Sequence, residues 1–156
     1  MDLHVVQISS PVGPWGVEGT ALAITRVFMP HEVYRVSRGS GPVLVTDTAT
    51  QLSEYFAGSR RSFDVPLGDV RATAFQLEVW AALRDIPYGQ VRTYSDVAAA
   101  VRRPLAVRAV GNANGANPWP VVVPCHRVVA RDGLGGYGGG TDVKRFLLDL
   151  EGARVA

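Results

Sequence analysis

The chain carries a single cysteine, Cys125, among 156 residues. That excludes an internal disulfide and any zinc site built from several thiolates. The three histidines, His4, His31 and His126, lie too far apart in sequence to compensate, and no metal is expected. Charge is sparse, at 19% of residues against 47% apolar ones, a balance that excludes wholesale disorder. No apolar run reaches the ~18 residues of a membrane span. The N-terminal MDLHVVQISS has neither the basic start nor the long apolar stretch of a secretion signal. The expectation is a cytoplasmic protein with no membrane partner and a core large enough to need no covalent staple.

Charge is also uneven. Residues 1–70 contain no lysine and carry five arginines against seven acids, whereas residues 71–156 carry eleven basic residues against seven acids. Between Val91 and Val110, Arg92, Arg102, Arg103 and Arg108 face only Asp96. Such an excess suits a polyanion, although charge alone fits a solvated basic face equally well.

Two domains are expected, an α+β scaffold over residues 1–70 and a mostly helical domain over 71–156. In the first, Leu3–Ser9 and Ala21–Phe28 read as strands of a short antiparallel sheet, joined through Pro11, Gly13 and Pro14. Leu52 and Phe56 predict a helix over Thr46–Ala57, and Phe63–Leu67 reads as a further strand. In the second, Thr73 and Gln76 form a capping box ahead of a helix whose buried face is Phe75, Val79 and Leu83. Thr93-Tyr94-Ser95-Asp96 opens a short helix ending near Val101, and Pro104 suits the first position of a third helix reaching Asn114. Two short helices about a basic turn make a helix-turn-helix. Val121–Val123 reads as a strand delivering Pro124-Cys125-His126-Arg127-Val128. A loop from Gly133 to Gly140 follows, without the Lys-Ser/Thr ending of a phosphate-binding P-loop. Thr141 then caps a helix with an apolar face of Val143, Phe146, Leu147 and Leu150.

The chemistry concentrates at Cys125 and His126. A thiolate is a strong nucleophile, and an imidazole nearby can take its proton. Neighbouring residues of a strand point to opposite faces, so the pair needs a turn at Cys125 or a bridging water. Glu151 ends the last helix, where the helix dipole disfavours a negative charge. It is either a screened surface residue or an inward-facing carboxylate orienting His126.

Pro124-Cys125-His126-Arg127-Val128 resembles the signature of the O6-alkylguanine-DNA alkyltransferases, the methylated-DNA–protein-cysteine methyltransferases. The resemblance extends through Phe75-Gln76, Val79-Trp80, Ile86-Pro87-Tyr88-Gly89, Arg108-Ala109-Val110-Gly111, Asn117-Pro118, Tyr137, Gly139 and Leu147-Leu148 to Glu151-Gly152. It is dense from Ala72 to Gly152. The resemblance implies repair of alkylated guanine, and of O4-alkylthymine, in double-stranded DNA by a monomer without cofactor. Cys125 would accept the alkyl group irreversibly, once per molecule, after the base is flipped from the minor groove. His126 would deprotonate it through a water, Glu151 would orient His126, and Tyr94 would help protonate the departing guanine. Arg108 would fill the gap left by the flipped base, with Thr93, Tyr94, Ala109, Gly111, Arg102 and Arg103 also facing DNA. Asn117, Val128, Tyr137 and Gly138 would form the base pocket, Asn117 also tying the DNA-reading helix to the reactive turn.

Some residues depart from the family pattern. The glycine-rich loop is one residue shorter, Gly138 stands where Ser or Ala is usual, and Arg102 occupies a turn position that is commonly Gly. The first domain has no cysteine for the structural zinc of some relatives. Alternative readings are an alkyltransferase-like protein that binds damage without repairing it, a Cys–His hydrolase, and a helix-turn-helix regulator. The first of these typically replaces the acceptor cysteine with Trp, and Cys125 is present here.

Overall fold

The computed structural model describes residues 2–155. Its fold is α+β, and the chain divides between Val70 and Arg71 into two units. In the first, strands β1 (His4–Ser10), β2 (Gly13–Gly19) and β3 (Ile24–Phe28) form an antiparallel sheet in the order β1-β2-β3. Helix α1 (Val43–Phe56) packs against β1 and β2. Trp15 and Val17 alternate inward from β2 and are wholly buried, as are Leu52 and Tyr55 of α1, and the Trp15 ring lies 5.0 Å from that of Phe56.

The central strand is a correction to the sequence reading, which placed a turn region there. Gly13, Pro14, Gly16 and Gly19 resemble loop text, yet only Pro11 and Val12 form the turn. Gly16 is needed because a Cβ there would lie 2.7 Å from the ring of Tyr34, which stacks on Phe28 at 4.4 Å. The expected strand over Phe63–Leu67 reduces to one bridge between Leu67 and Ile24. Pro66 has no N–H to extend a ladder and offers only its carbonyl, which accepts from Ile24 N at 2.8 Å. Helix α1 begins three residues before Thr46, with Pro42 at its N-cap.

In the second unit, α2 (Ala74–Arg84) starts on the Thr73–Gln76 capping box. Helix α3 (Tyr94–Ala100) starts on another, Thr93 with Asp96. Helix α4 (Val107–Gly115) completes the helix-turn-helix, starting later than the Pro104 expectation. The cause lies at the end of α3. Arg102 takes φ 61, and the amides of Arg102 and Arg103 donate to Ala99 O and Ala98 O at 3.0 and 2.9 Å. This helix-closing motif spreads the turn over Arg102–Leu105.

Val121–Val123 is not a strand. Val121 has φ 74, and Val123 N returns to Trp119 O at 2.8 Å, so the segment is a tight, proline-flanked turn. A single 3₁₀ turn, Cys125–Arg127, follows, then β5 (Val128–Val129) pairs in parallel with β4 (Arg92–Thr93). Helix α5 (Thr141–Leu150) is preceded by Gly140 at the N-cap, with Thr141 its first residue. Its buried face is Val143, Lys144, Leu147 and Leu148, whereas Phe146 and Leu150 are half-buried. Among the described residues no helix is long and apolar enough to cross a membrane.

Candidate active site

The reactive segment sits where the second unit is most buried. Cys125 opens the 3₁₀ turn, and every residue from Trp119 to Val129 is buried. The turn is held from α4 and the residues after it: Asn114 Nδ2 donates to Cys125 O at 3.2 Å and Asn117 Nδ2 to Val123 O at 2.8 Å. Asn117 Oδ1 in turn accepts from Trp119 N at 3.0 Å, which fixes the amide's orientation.

Burial pushes the Cys125 thiol up from its usual range, because a thiolate there loses its hydration. The polar groups of Asn117 and Tyr137 and the charge of Lys144 act in the opposite direction. Burial likewise lowers His126, against the hydrogen bond and charge of Glu151, so its imidazole is neutral at pH 7. His126 Nε2 donates to Glu151 Oε2 at 2.7 Å, since a carboxylate can only accept. In a neutral ring this leaves the lone pair on Nδ1.

Glu151 is the C-cap of α5 and is buried. Of the two readings open from sequence, the inward one holds. Besides His126 it accepts from Arg127 Nε at 2.9 Å, Arg127 Nη2 at 3.0 Å and Gly89 N at 3.1 Å. Arg127 Nη1 donates to Ile86 O at 2.7 Å. The dipole cost at the helix end is thereby outweighed by four donors.

Tyr94 is half-buried at the start of α3 and feels both Cys125 and the glycine loop. Burial first, then the Cys125 charge, raises its phenol, while a backbone hydrogen bond at Gly136 works against them. Gly135, at φ 75, lies so close that a Cβ would be 3.0 Å from the Tyr94 hydroxyl. Only glycine suits that position. Tyr137 is half-buried, and Gly138 is exposed on the same loop.

The expected DNA-facing residues separate into two groups. Arg102, Arg108 and Ala109 are exposed about the helix-turn-helix, and Gly111 lies on α4 near the Tyr94 ring. Thr93 spends its hydroxyl on the amide of Asp96 at 3.0 Å. Arg103 pairs with Glu78 at 2.6 Å and lies over the Phe75 ring, so it is already engaged with α2. Val128, expected in the base pocket, is buried, and its carbonyl accepts from Lys144 Nζ at 2.7 Å.

Sequence reasoning missed Arg127, Lys144 and Asn114. Lys144 had a signal: it is the only lysine in a chain that otherwise uses arginine fifteen times. Among the described residues no His, Cys, Asp and Glu cluster suits a metal ion.

Fold and site together define a helix-turn-helix domain carrying one buried cysteine beside a histidine–carboxylate pair. Residues 74–153 match the family model for the 6-O-methylguanine DNA methyltransferase DNA-binding domain. The methylated-DNA–protein-cysteine methyltransferase of Mycobacterium tuberculosis is 45% identical over 98% of this chain and 94% of its own length. The constitutive one of Bacillus subtilis is 43% identical over 91% of each. The crystal structure of the Mycobacterium tuberculosis O6-methylguanine methyltransferase superposes with a TM-score of 0.85 at 44% identity, covering 97% of this chain and 93% of that one. The crystal structure of Mycobacterium tuberculosis OGT in complex with DNA gives a TM-score of 0.83 at 45% identity, covering 95% of this chain and 92% of that one. The chain belongs to the methylated-DNA–protein-cysteine methyltransferase family.

Proposed function

We propose that this chain repairs duplex DNA by moving the alkyl group of O6-alkylguanine onto Cys125, irreversibly and once per molecule, acting as a monomer without cofactor. O4-alkylthymine is a second substrate of the same chemistry. Residues 71–156 bind the DNA and accept the alkyl group, and residues 1–70 serve as scaffold. The observation that carries the reading is the set around Cys125: Asn114 and Asn117 holding the reactive turn, and neutral His126 oriented by Glu151.

The order of events follows from the electrostatics. A thiol raised by burial stays protonated at neutral pH, so it is not a free thiolate waiting to be oxidised. When the base enters, a water passes the thiol proton to His126 Nδ1, and Glu151 stabilises the imidazolium. The sulfur attacks the alkyl carbon in line with the C–O6 bond, which breaks as the S–C bond forms. Tyr94, held protonated by burial, gives a proton to the departing guanine. The product is a thioether, whose S–C bond would break only by displacement of a thiolate, a poor leaving group, so the alkyl group stays on sulfur and the protein is spent.

In-line attack is blocked inside a stacked duplex, so the nucleotide leaves the helix through the minor groove at a cost of a few kcal/mol. Exposed Arg108 takes its place, and α4, with Ala109 and Gly111, lets the backbone approach. Arg102 adds phosphate attraction without base readout.

The test is intact mass. Incubation with duplex oligonucleotide containing O6-methylguanine should add one methyl group per protein, on the peptide holding Cys125. Cys125→Ala should bind the duplex and gain nothing. Tight binding by the unaltered chain with no mass gain would instead favour the damage-binding alternative.

A further inference from the structure

Lys144 is wholly buried, yet no step of the transfer uses it. Its ammonium donates to carbonyls from two separate segments. One is Val128 O at 2.7 Å, on the strand leaving the reactive turn; the other is Gly136 O at 3.0 Å, in the glycine loop. The Tyr137 ring centroid lies 6.0 Å from the same nitrogen. A buried charge persists only against strong compensation. A compact three-donor head suits two converging carbonyls better than a planar guanidinium does. That accounts for the one lysine in a chain with fifteen arginines.

We propose that Lys144 is a positioning residue for the transfer: its ammonium clasps the glycine loop onto the reactive strand and thereby sets the wall against which the base is held. This rests on Cys125 being the acceptor. The clasp reaches the chemistry through Tyr137, whose hydroxyl acts on the Cys125 thiol from that loop, and through Tyr94, which meets the loop at Gly135 and Gly136.

The titratable groups around the ammonium are Cys125, His126 and Tyr137. Burial lowers Lys144 to about 8, with the Cys125 charge pulling the other way. The clasp is charged below that pH and weakens above it. His126 feels the ammonium as a further reason to stay neutral.

The experiment is single-turnover benzyl transfer from free O6-benzylguanine, which needs no flipping, from about pH 6.5 to 9.5. In the unaltered protein the half-saturating concentration should be flat to about pH 8 and rise beyond it. Lys144→Met should raise it about tenfold below pH 8, as expected for lost charged hydrogen bonds, and abolish the inflection, so that the two proteins converge on the alkaline side. Lys144→Arg, which keeps its charge, should abolish the inflection and recover part of the affinity. Half-saturation within about twofold of the unaltered protein at pH 7 in Lys144→Met, or an alkaline rise that persists in Lys144→Arg, would overturn the proposal. Should the variants misfold, [13Cε]lysine labelling of the unaltered chain gives one side-chain signal. It should titrate near pH 8, and a midpoint in the ordinary lysine range would overturn the clasp. If the unaltered protein gains no methyl group from duplex O6-methylguanine either, the reading of Cys125 fails instead.

Discussion

Arg127 lies side-on to Glu151, its Nε and Nη2 at 2.9 and 3.0 Å from the two carboxylate oxygens. The residue after the proposed proton acceptor thus holds the carboxylate that orients it. This double duty changes what a substitution at Glu151 means. A carboxylate serving only His126 could be exchanged for an amide at little structural cost. Here the exchange strands a buried guanidinium.

Glu151→Gln should therefore destabilise the fold by about 3–5 kcal/mol, the usual cost of breaking a buried pair from one side. It should also slow methyl transfer at least ~10-fold through loss of the imidazolium's partner. The two effects separate in the double variant Glu151→Gln/Arg127→Met, where the stranded charge is removed. Urea unfolding should show most of the stability restored while the transfer rate stays low. A rate that recovers along with stability would make Glu151 an anchor rather than a member of the relay.

Stability should depend on pH through His126. Its folded value lies below that of the unfolded chain, so between the two the unfolded state binds more protons. Stability is then complete above about pH 6.5 and is lost as pH falls below it. Thermal melts across this range should show that loss, and His126→Asn, which cannot ionise, should flatten it. Cys125 acts with the opposite sign. Its folded value is raised, so its contribution holds below about pH 9 and declines above. Iodoacetamide labelling of the free protein should accordingly be slow at neutral pH and climb only on the alkaline side.

The parts of this molecule legible in its sequence are those decided locally. The capping boxes Thr73–Gln76 and Thr93–Asp96 involve residues three apart and need no tertiary information. Cys125 and His126 are adjacent, and Glu151 drew notice as a carboxylate at the unfavourable end of a helix. Strand β2 was obscured because Gly16 answers to Tyr34, eighteen positions on, rather than to its own neighbours. Arg127 and Lys144 received no role from sequence, since only the folded chain shows the carbonyls and carboxylate that receive them. Val121–Val123 has the residues of a strand, but prolines on both sides leave room only for a turn.

Arg102 offers a test in which stability and DNA affinity move in opposite directions. A non-glycine residue at φ 61 costs about 1–2 kcal/mol in backbone strain. Arg102→Gly should recover about 1 kcal/mol and raise the melting temperature by a few degrees. If Arg102 also meets a phosphate, the same variant should bind duplex more weakly, with a salt slope smaller by about one. Arg103→Ala is the control. Its pairing with exposed Glu78 is worth at most about 1 kcal/mol, and losing an already engaged charge should alter the slope less. Equal slopes for Arg102→Gly and the unaltered chain would remove Arg102 from the DNA interface.

Arg108 separates DNA handling from chemistry. It is exposed on the first turn of α4. If its side chain fills the gap left by an extruded base, it stabilises the flipped state without touching reacting atoms. Its loss should then raise the cost of flipping by about 1–3 kcal/mol, or roughly 5- to 150-fold in flipped population. Arg108→Ala should slow transfer from duplex O6-methylguanine by that factor, yet change transfer from free O6-benzylguanine by less than about twofold. Arg108→Lys should restore only part of the loss, because a flexible ammonium is a poorer planar plug than a guanidinium. Rates on duplex and free base measured side by side decide the matter. Parallel losses on both substrates would mean that Arg108 supports the pocket, and its role as the inserted residue would have to be given up.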